Sequence, residues 1–234
     1  MIKNIVVFSG AGMSAESGID TFRKSGGLWE TYKIEEVATP EAWKRNPKKV
    51  QDFYNMRRAD ISNAEPNEGH KAIAKFSQYG EVIVVTQNID DLHERAGLSN
   101  VIHLHGNIRF AKSSGPRQEE AYYPIEGDVL SLEDHCPDGY SLRPHVVWFG
   151  EEVPMYEEAK RIIETADIFI VVGTSLNVYP AAGLIHYAHR ATLKIVIDPD
   201  SELSVPTDFI HLKVNATEGM KQCIELIKEL VKET

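Results

Sequence analysis

Ile5-Val6-Val7-Phe8-Ser9-Gly10-Ala11-Gly12-Met13-Ser14-Ala15-Glu16-Ser17-Gly18 is the stretch that decides the fold. Its apolar start lacks polar alternation, which predicts a strand covered on both faces, as in a parallel sheet. Glycines follow at once, and a helical pattern follows them. At such a strand-to-helix turn, backbone N–H groups can approach a pyrophosphate near the positive end of a helix. The pattern departs from G-x-G-x-x-G because Ala15 holds the third glycine position. No strand ending in an acid follows about 20 residues on. A tight structural turn and a dinucleotide cradle both fit it.

Working outward, short β-rich runs alternate with helical patterns, which predicts an α/β fold with a mainly parallel sheet. Strands are expected at Ile5–Phe8, Val82–Thr86, Val101–Leu104, Val146–Trp148, Ile168–Val172 and Lys194–Ile197, with a weaker one at Phe209–Lys213. Helices are expected near Asn67–Gln78, Asp90–Ala96, Met155–Thr165, Pro180–Arg190 and Glu218–Lys232. In the last, Met220, Ile224, Ile227 and Val231 form a core-facing stripe. Two stretches interrupt the alternation, Ser17–Asn67 and the polar Asn107–Arg143. Both are expected to rise from the sheet as a second lobe, and a cleft between lobes is the usual place for a ligand.

Polar groups gather at the carboxyl ends of the expected strands, where open α/β sheets collect ligands. Thr86-Gln87-Asn88-Ile89-Asp90 follows the second strong strand, although Asn88 or Asp90 could simply cap the next helix. Val101-Ile102-His103-Leu104-His105-Gly106 places His103 and His105 on one face, with His105 nearer the carboxyl end and better placed as a base. Gly173-Thr174-Ser175 and Val196-Ile197-Asp198 end two further strands. They supply hydroxyls and a carboxylate suited to an adenosine half-site, or to ordinary turns. Ile19-Asp20-Thr21-Phe22-Arg23 and Gly26-Gly27-Leu28-Trp29 put an arginine and aromatics on a glycine-flanked loop. There Arg can pair with phosphate and an aromatic can cover a nicotinamide.

The net charge of -10 disfavours nucleic acid and is compatible with lysine-rich protein segments. No run of about 18 or more apolar residues is available to span a membrane. No signal-peptide pattern is present, so a cytoplasmic location is expected. The two cysteines, Cys136 and Cys223, are too few for a disulfide scaffold.

Taken together, Gly10-Ala11-Gly12-x-Ser14-x-x-Ser17-Gly18-Ile19, Thr86-Gln87-Asn88-Ile89-Asp90, His105-Gly106, Pro144-His145-Val146-Val147-Trp148-Phe149-Gly150-Glu151 and Gly173-Thr174-Ser175 resemble the sirtuins in order and spacing. The likeness spans nearly the whole chain and is nearest to short bacterial sirtuins and the desuccinylase branch. It implies a Rossmann-like NAD-binding domain over 1–33, 79–106 and 144–234. A helical insertion would cover 34–78, and a reduced zinc-module-like insertion 107–143. NAD would be consumed as co-substrate, with acyl-lysine proteins or peptides as partners. The resemblance assigns His105 as catalytic base with Asn88 beside it. It assigns NAD contacts to Gly10, Ala11, Gly12, Ser14, Phe22, Arg23, Trp29, Gln87, Asn88, Ile89, Asp90, Gly173, Thr174, Ser175, Asp198 and Ala216. Val147, Trp148, Phe149 and Gly150 would line the acyl-lysine tunnel and pair with peptide backbone.

In the family's chemistry the acyl oxygen attacks C1′ of the ribose and nicotinamide leaves. The base then takes a ribose hydroxyl proton, and lysine and O-acyl-ADP-ribose are released. Tyr54 and Arg57, three residues apart on a helix, share a face and together suit a carboxylate, as in desuccinylase-type relatives. This implies a preference for succinyl- and malonyl-lysine with weaker deacetylation. NAD hydrolysis, ADP-ribosyl transfer and non-catalytic NAD sensing share the cofactor residues. NAD hydrolysis does not require the Val147–Gly150 strand, and NAD sensing does not require His105. Asp20, where most relatives carry another residue, has no functional account from sequence.

Sirtuins usually carry zinc cysteines in the window after His-Gly. Here the window holds only Cys136, so an all-cysteine tetrahedral site is excluded by counting. Packing by Tyr122, Tyr123 and Leu130 is expected to hold this lobe instead. Elemental analysis of the purified, folded protein should find no stoichiometric zinc. Zinc bound in proportion to protein and lost on changing Cys136 would contradict the count.

Overall fold

The computed structural model describes residues 4–21 and 32–233; Phe22, Arg23 and Trp29 lie outside the described residues. In chain order the strands are β1 (Asn4–Ser9), β2 (Glu81–Thr86), β3 (Val101–His103), β4 (Gly106–Ser113), β5 (Tyr122–Pro124), β6 (Leu142–Val146), β7 (Ile168–Val172), β8 (Leu193–Ile197) and β9 (Ile210–Leu212). A six-stranded sheet has the order β3-β2-β1-β7-β8-β9, and a three-stranded sheet the order β5-β4-β6. All pairings are parallel in the first and antiparallel in the second. The larger sheet is therefore an α/β, Rossmann-like sheet whose strand order reverses between β1 and β7.

The middles of β1 and β2, and the whole of β7, are unbroken apolar runs because both faces are covered. Ile5 and Val7 of β1, Ile168, Ile170 and Val172 of β7, and Ile195 and Ile197 of β8 point to one core, closed by Ala72, Ile73, Met220, Cys223 and Ile227 from two helices. Val6, Phe8, Phe169, Val171 and Val196 point to the other, closed by Ala159, Ile163, Ala181, Leu184 and Ile185. Within the Ala216–Glu233 helix the buried stripe includes Cys223, while Val231 in the final turns is exposed.

Three expectations change. The Pro180–Arg190 segment is a 3-10 stretch, Ala181–Tyr187, and not an α-helix. The strand expected at Val146–Trp148 lies upstream at Leu142–Val146, in the small antiparallel sheet. It ends there because the Glu151 carboxylate captures the Trp148 amide at 2.8 Å. The polar 107–143 stretch carries strands of its own around a small core of Ala111, Ile125, Leu130, Cys136 and Leu142. Tyr123 packs on that core, whereas Tyr122 is half-exposed and stacks on His145 with ring centroids 3.8 Å apart.

Helix Pro47–Asn63 ties this stretch down through hydrogen bonds to its backbone. Gln51 Nε2 and Asn55 Nδ2 donate to the Leu130 carbonyl at 2.9 and 3.1 Å, and Asn55 Oδ1 accepts from Leu130 N at 3.0 Å. Arg58 Nε donates to the Ile108 carbonyl at 2.8 Å and Nη1 to the Asp128 carbonyl at 2.9 Å. Among the described residues no helix is long and apolar enough to cross a membrane.

Under the carboxyl end of β2, His70 and His93 meet edge to face with centroids 4.9 Å apart, both fully buried. His93 Nε2 bonds Ser9 Oγ at 2.9 Å, and Ser9 Oγ donates to Thr86 Oγ1 at 2.8 Å. Both nitrogens of His70, and Nδ1 of His93, lack a partner among the described residues. Burial pushes His70 down to about 4 and holds His93 well below the ordinary imidazole range, with His70 adding to the effect on His93. Both rings are thus neutral in the fold. Their folded pKa values lie below the unfolded value of about 6.5. Their contribution to stability is therefore complete above that pH and is lost as pH falls toward the folded values. Calorimetry from about pH 7 to 5 should show a falling unfolding midpoint, with a shallower fall in His70→Gln. An unchanged slope in that variant would count against this assignment.

Candidate active site

The strand reversal between β1 and β7 opens a crevice at the carboxyl ends of the sheet. Gly12 N donates to the Gly173 carbonyl at 2.8 Å, and Gly10 N to the Val172 carbonyl at 3.0 Å. A Cβ on Gly10 would lie 2.7 Å from the Gly173 carbonyl oxygen, and one on Gly12 would lie 2.7 Å from Gly173 Cα. Gly173 itself has φ +62, a conformation that favours glycine. The amides of Gly10, Gly12 and Met13 are therefore consumed inside the chain, the last on the Gly10 carbonyl at 2.9 Å. These glycines permit close contact between two turns; they do not leave those amides free for an anion. The Ala11 carbonyl accepts from Ser14 N at 3.1 Å, closing the turn into the short Gly12–Ala15 helix.

That helix delivers Ser14 to the polar cluster after β2. Ser14 Oγ donates to Asp90 Oδ2 at 2.9 Å and accepts from Asn88 Nδ2 at 3.0 Å. Asp90 Oδ1 accepts from Leu92 N at 3.2 Å, so the carboxylate also holds the start of the next helix. Burial raises the Asp90 pKa, with Ser14 and Leu92 opposing. Gln87 Nε2 donates to Thr174 Oγ1 at 2.9 Å, which links the two halves of the sheet. The Ile89 carbonyl accepts from Ile108 N at 2.9 Å, so this cluster also anchors β4. Asp198 Oδ1 accepts from Asp200 N at 2.9 Å, and Ala216 is buried at the start of the last helix. Ser175 follows Thr174 on the same turn. Glu16, Pro199, Lys213, Val214, Asn215, Thr217 and Glu218 line a hollow of about 550 Å³ next to Asp198 and Ala216.

His105 sits in the short link between β3 and β4, where the chain leaves one sheet for the other. Its Nδ1 bonds the Gln87 carbonyl at 3.0 Å. A carbonyl only accepts, so Nδ1 carries the proton and the Nε2 lone pair remains available as a base. Burial lowers the pKa, with the Gln87 bond opposing, and keeps the ring neutral at pH 7. His103 differs. Burial disfavours its charge, but Glu94 Oε1 at 2.7 Å overcomes this and the pKa is raised. Sequence reading singled out the two histidines but missed Glu94, whose helical position gives no hint of that pairing.

The Pro47–Asn63 helix brings Tyr54 and Arg57 together, both buried. Tyr54 Oη accepts from Trp148 Nε1 at 3.1 Å. Arg57 has an ion pair to Asp60 at 3.8 Å and makes no hydrogen bond to another described residue. Burial lowers its pKa, while the charges of Asp60, Asp20 and Asp90 raise it. Asp20, without a role in the sequence, is thus one of the carboxylates near this guanidinium. In the segment after β6, Val147 N donates to the His105 carbonyl at 2.9 Å and Phe149 N to the Ala38 carbonyl at 3.0 Å. With the Trp148 amide on Glu151, a peptide laid along Val147–Gly150 must pair through other groups.

Around Cys136, Sγ donates to Ser113 Oγ at 3.4 Å, His135 Nδ1 bonds the Glu133 carbonyl at 2.6 Å, and Asp138 pairs with Arg117. Among the described residues no group of three or more potential ligands stands ready for a metal.

The Sir2 family model matches residues 10–180. An NAD-dependent protein deacylase of Bacteroides thetaiotaomicron is 48% identical, over 97% of this chain and 98% of that protein. One from Helicobacter pylori strain J99 is 45% identical, over 98% and 97%. Among solved structures, a mutant Sir2 homologue in complex with ADP-ribose is similar with a TM-score of 0.89 at 38% identity, over 100% of this chain and 95% of that one. A Sir2 homologue–NAD complex is similar with a TM-score of 0.85 at 39% identity, over 98% and 91%. With a family model spanning most of the chain and relatives matching it nearly end to end, this protein belongs to the Sir2 family, the sirtuins.

Proposed function

We propose that this sirtuin is an NAD-dependent protein-lysine deacylase that prefers succinyl- and malonyl-lysine, with weaker deacetylation. NAD is the co-substrate and is consumed, giving nicotinamide and O-acyl-ADP-ribose. Residues 34–78 and 107–143 would form the lobe over the sheet, and the acyl-lysine would enter between lobe and sheet. A cytoplasmic setting suits two cysteines that are both free and buried.

The chemistry is assigned to the groups at the strand ends. His105 Nε2 would accept a ribose hydroxyl proton, with Nδ1 pinned by Gln87 so that the basic lone pair faces the reaction. Asn88 and Ser14 would hold Asp90 in place for the carboxamide of nicotinamide, and Gln87 and Asn88 would orient the adjoining ribose. Gly10–Gly12 and Arg23 would hold the phosphates, and Gly173–Ser175, Asp198 and Ala216 would surround the adenosine half. His105→Ala should abolish deacylation of an acyl-lysine peptide while the fold persists by circular dichroism. Near-normal turnover would remove His105 from the mechanism.

The acyl preference is carried by one observation: Arg57 is buried beside Tyr54 without a hydrogen-bonded partner among the described residues. A buried guanidinium in that condition is costly and is relieved by a carboxylate ligand. An acetyl group offers no such anion. Arg57→Met should lower kcat/KM for succinyl-lysine by about 10- to 100-fold relative to acetyl-lysine, the scale of a charged hydrogen bond. A wild-type enzyme that favours acetyl-lysine, or a substitution that weakens both substrates equally, would defeat the acidic-acyl reading.

A further inference from the structure

Trp148 is gripped from several sides. The Arg143 guanidinium lies 3.5 Å from its ring centroid, and Trp43 packs at 5.8 Å between centroids. Arg143 is itself buried and held by Glu151 through bonds of 2.7 and 2.9 Å, and it donates to the Val146 carbonyl at 2.8 Å. Glu151 also accepts the Trp148 amide, so one carboxylate fixes both the indole's backbone and the cation on its face. The fixed indole has one polar act, donation of Nε1–H to Tyr54 Oη at 3.1 Å.

That donation has a directional consequence. A phenolic proton lies in the ring plane in one of two positions, and indole N–H is a donor only. Once the indole occupies one position, the Tyr54 proton must take the other. Tyr54 is 97% buried, 3% of its surface remaining, and its proton finds no acceptor among the described residues. A buried donor without an acceptor is expensive to maintain and points to a ligand oxygen. Arg57, also buried and without a hydrogen-bonded partner among the described residues, stands one helical turn away on the same face.

We propose that Trp148 is a positioning residue for acyl selectivity: by donating to Tyr54 it commits the Tyr54 hydroxyl to donate to the distal carboxylate of an acidic acyl-lysine. The Arg143–Glu151 pair is the clamp that holds the indole in this role. The inference rests on the acidic-acyl reading above and adds the residue that sets the direction of its hydrogen bond.

The test compares kcat and KM for succinyl- and acetyl-lysine forms of one peptide across variants. Trp148→Phe keeps the aromatic surface and removes the N–H. It should lower the succinyl-to-acetyl ratio of kcat/KM about tenfold, chiefly through KM for the succinyl peptide. In a Tyr54→Phe background the same change should lower the ratio no further, because there is no hydroxyl left to direct. Glu151→Gln loosens the clamp without altering either ring and should shift the ratio the same way, which keeps the idea testable if Trp148→Phe does not fold. A ratio unchanged in whichever of these variants folds, or an equal loss with and without the Tyr54 hydroxyl, would overturn the proposal. If Arg57→Met abolishes the preference while Trp148→Phe keeps it, the acidic-acyl reading stands and the role of Trp148 falls. A wild type without preference for the acidic acyl group would defeat both.

Discussion

The seat of the Gly10–Gly12 turn on Gly173 is the constraint from which the site follows. β1 and β7 are neighbours in the sheet, but their chains leave in different directions, and the crevice exists only where those exits part. The two turns touch backbone to backbone, with no room for a Cβ on either glycine. That contact sets the height of the short Gly12–Ala15 helix and therefore of Ser14. Ser14 in turn bridges Asn88 and Asp90. A side chain inserted between the turns would displace the hydroxyl that joins the first strand's exit to the second's.

The same sheet explains why so much polarity collects in one place. The middles of its central strands are apolar on both faces, so charged and hydrogen-bonding groups collect at the strand ends and beyond them. There the groups are still buried, which is why their protonation departs from ordinary values. Burial keeps His105 neutral, raises Asp90 and lowers Arg57. Below the cluster, the Ser9–Thr86 hydroxyl pair and the His93 ring continue the polar path into the core. Thr86 Oγ1 also accepts the Asn88 amide at 3.0 Å, so this buried path orients the residue that faces the site.

How much of this could be read from the sequence depended on the range of the forces involved. β1, β2, β7 and β8 were legible because burial on both faces leaves an unbroken apolar run. The cluster from Gln87 to Asp90, His105 and the Gly173 turn were legible because they sit directly behind such runs. β6 was misplaced at Val146–Trp148 because its apolar letters continue past the true end. A side chain three residues on, Glu151, takes the Trp148 amide and stops the ladder. The small sheet was invisible for a different reason. Its segment is polar, and much of what holds it is donated by Gln51, Asn55 and Arg58, far away in the chain. No local pattern can report a partner about 50 to 80 residues distant.

Helix Pro47–Asn63 shows what that arrangement demands of neighbouring residues. Arg57 and Arg58 are both buried, adjacent in sequence, and about 100° apart around the helix axis. Arg58 points at the small sheet, where the Ile108 and Asp128 carbonyls and Asn55 receive its donors. Burial lowers its pKa to about 10, which leaves it charged at pH 7 with its bonds intact. Arg57 projects at that angle from it, with Asp60 at 3.8 Å and the charges of Asp20 and Asp90 also acting on it. One helix therefore presents to the lobe it holds together a guanidinium bonded through Nε and Nη1, and carries a second, Arg57, with no hydrogen bond to another described residue. In a lobe without the usual cysteines, the residues that supply cohesion lie on the same rigid element as the pair assigned to the acyl group. Loosening the Leu130 clamp would shift Tyr54 and Arg57 with it. On the function proposed, the helix that ties down the 107–143 stretch also sets the geometry of substrate choice.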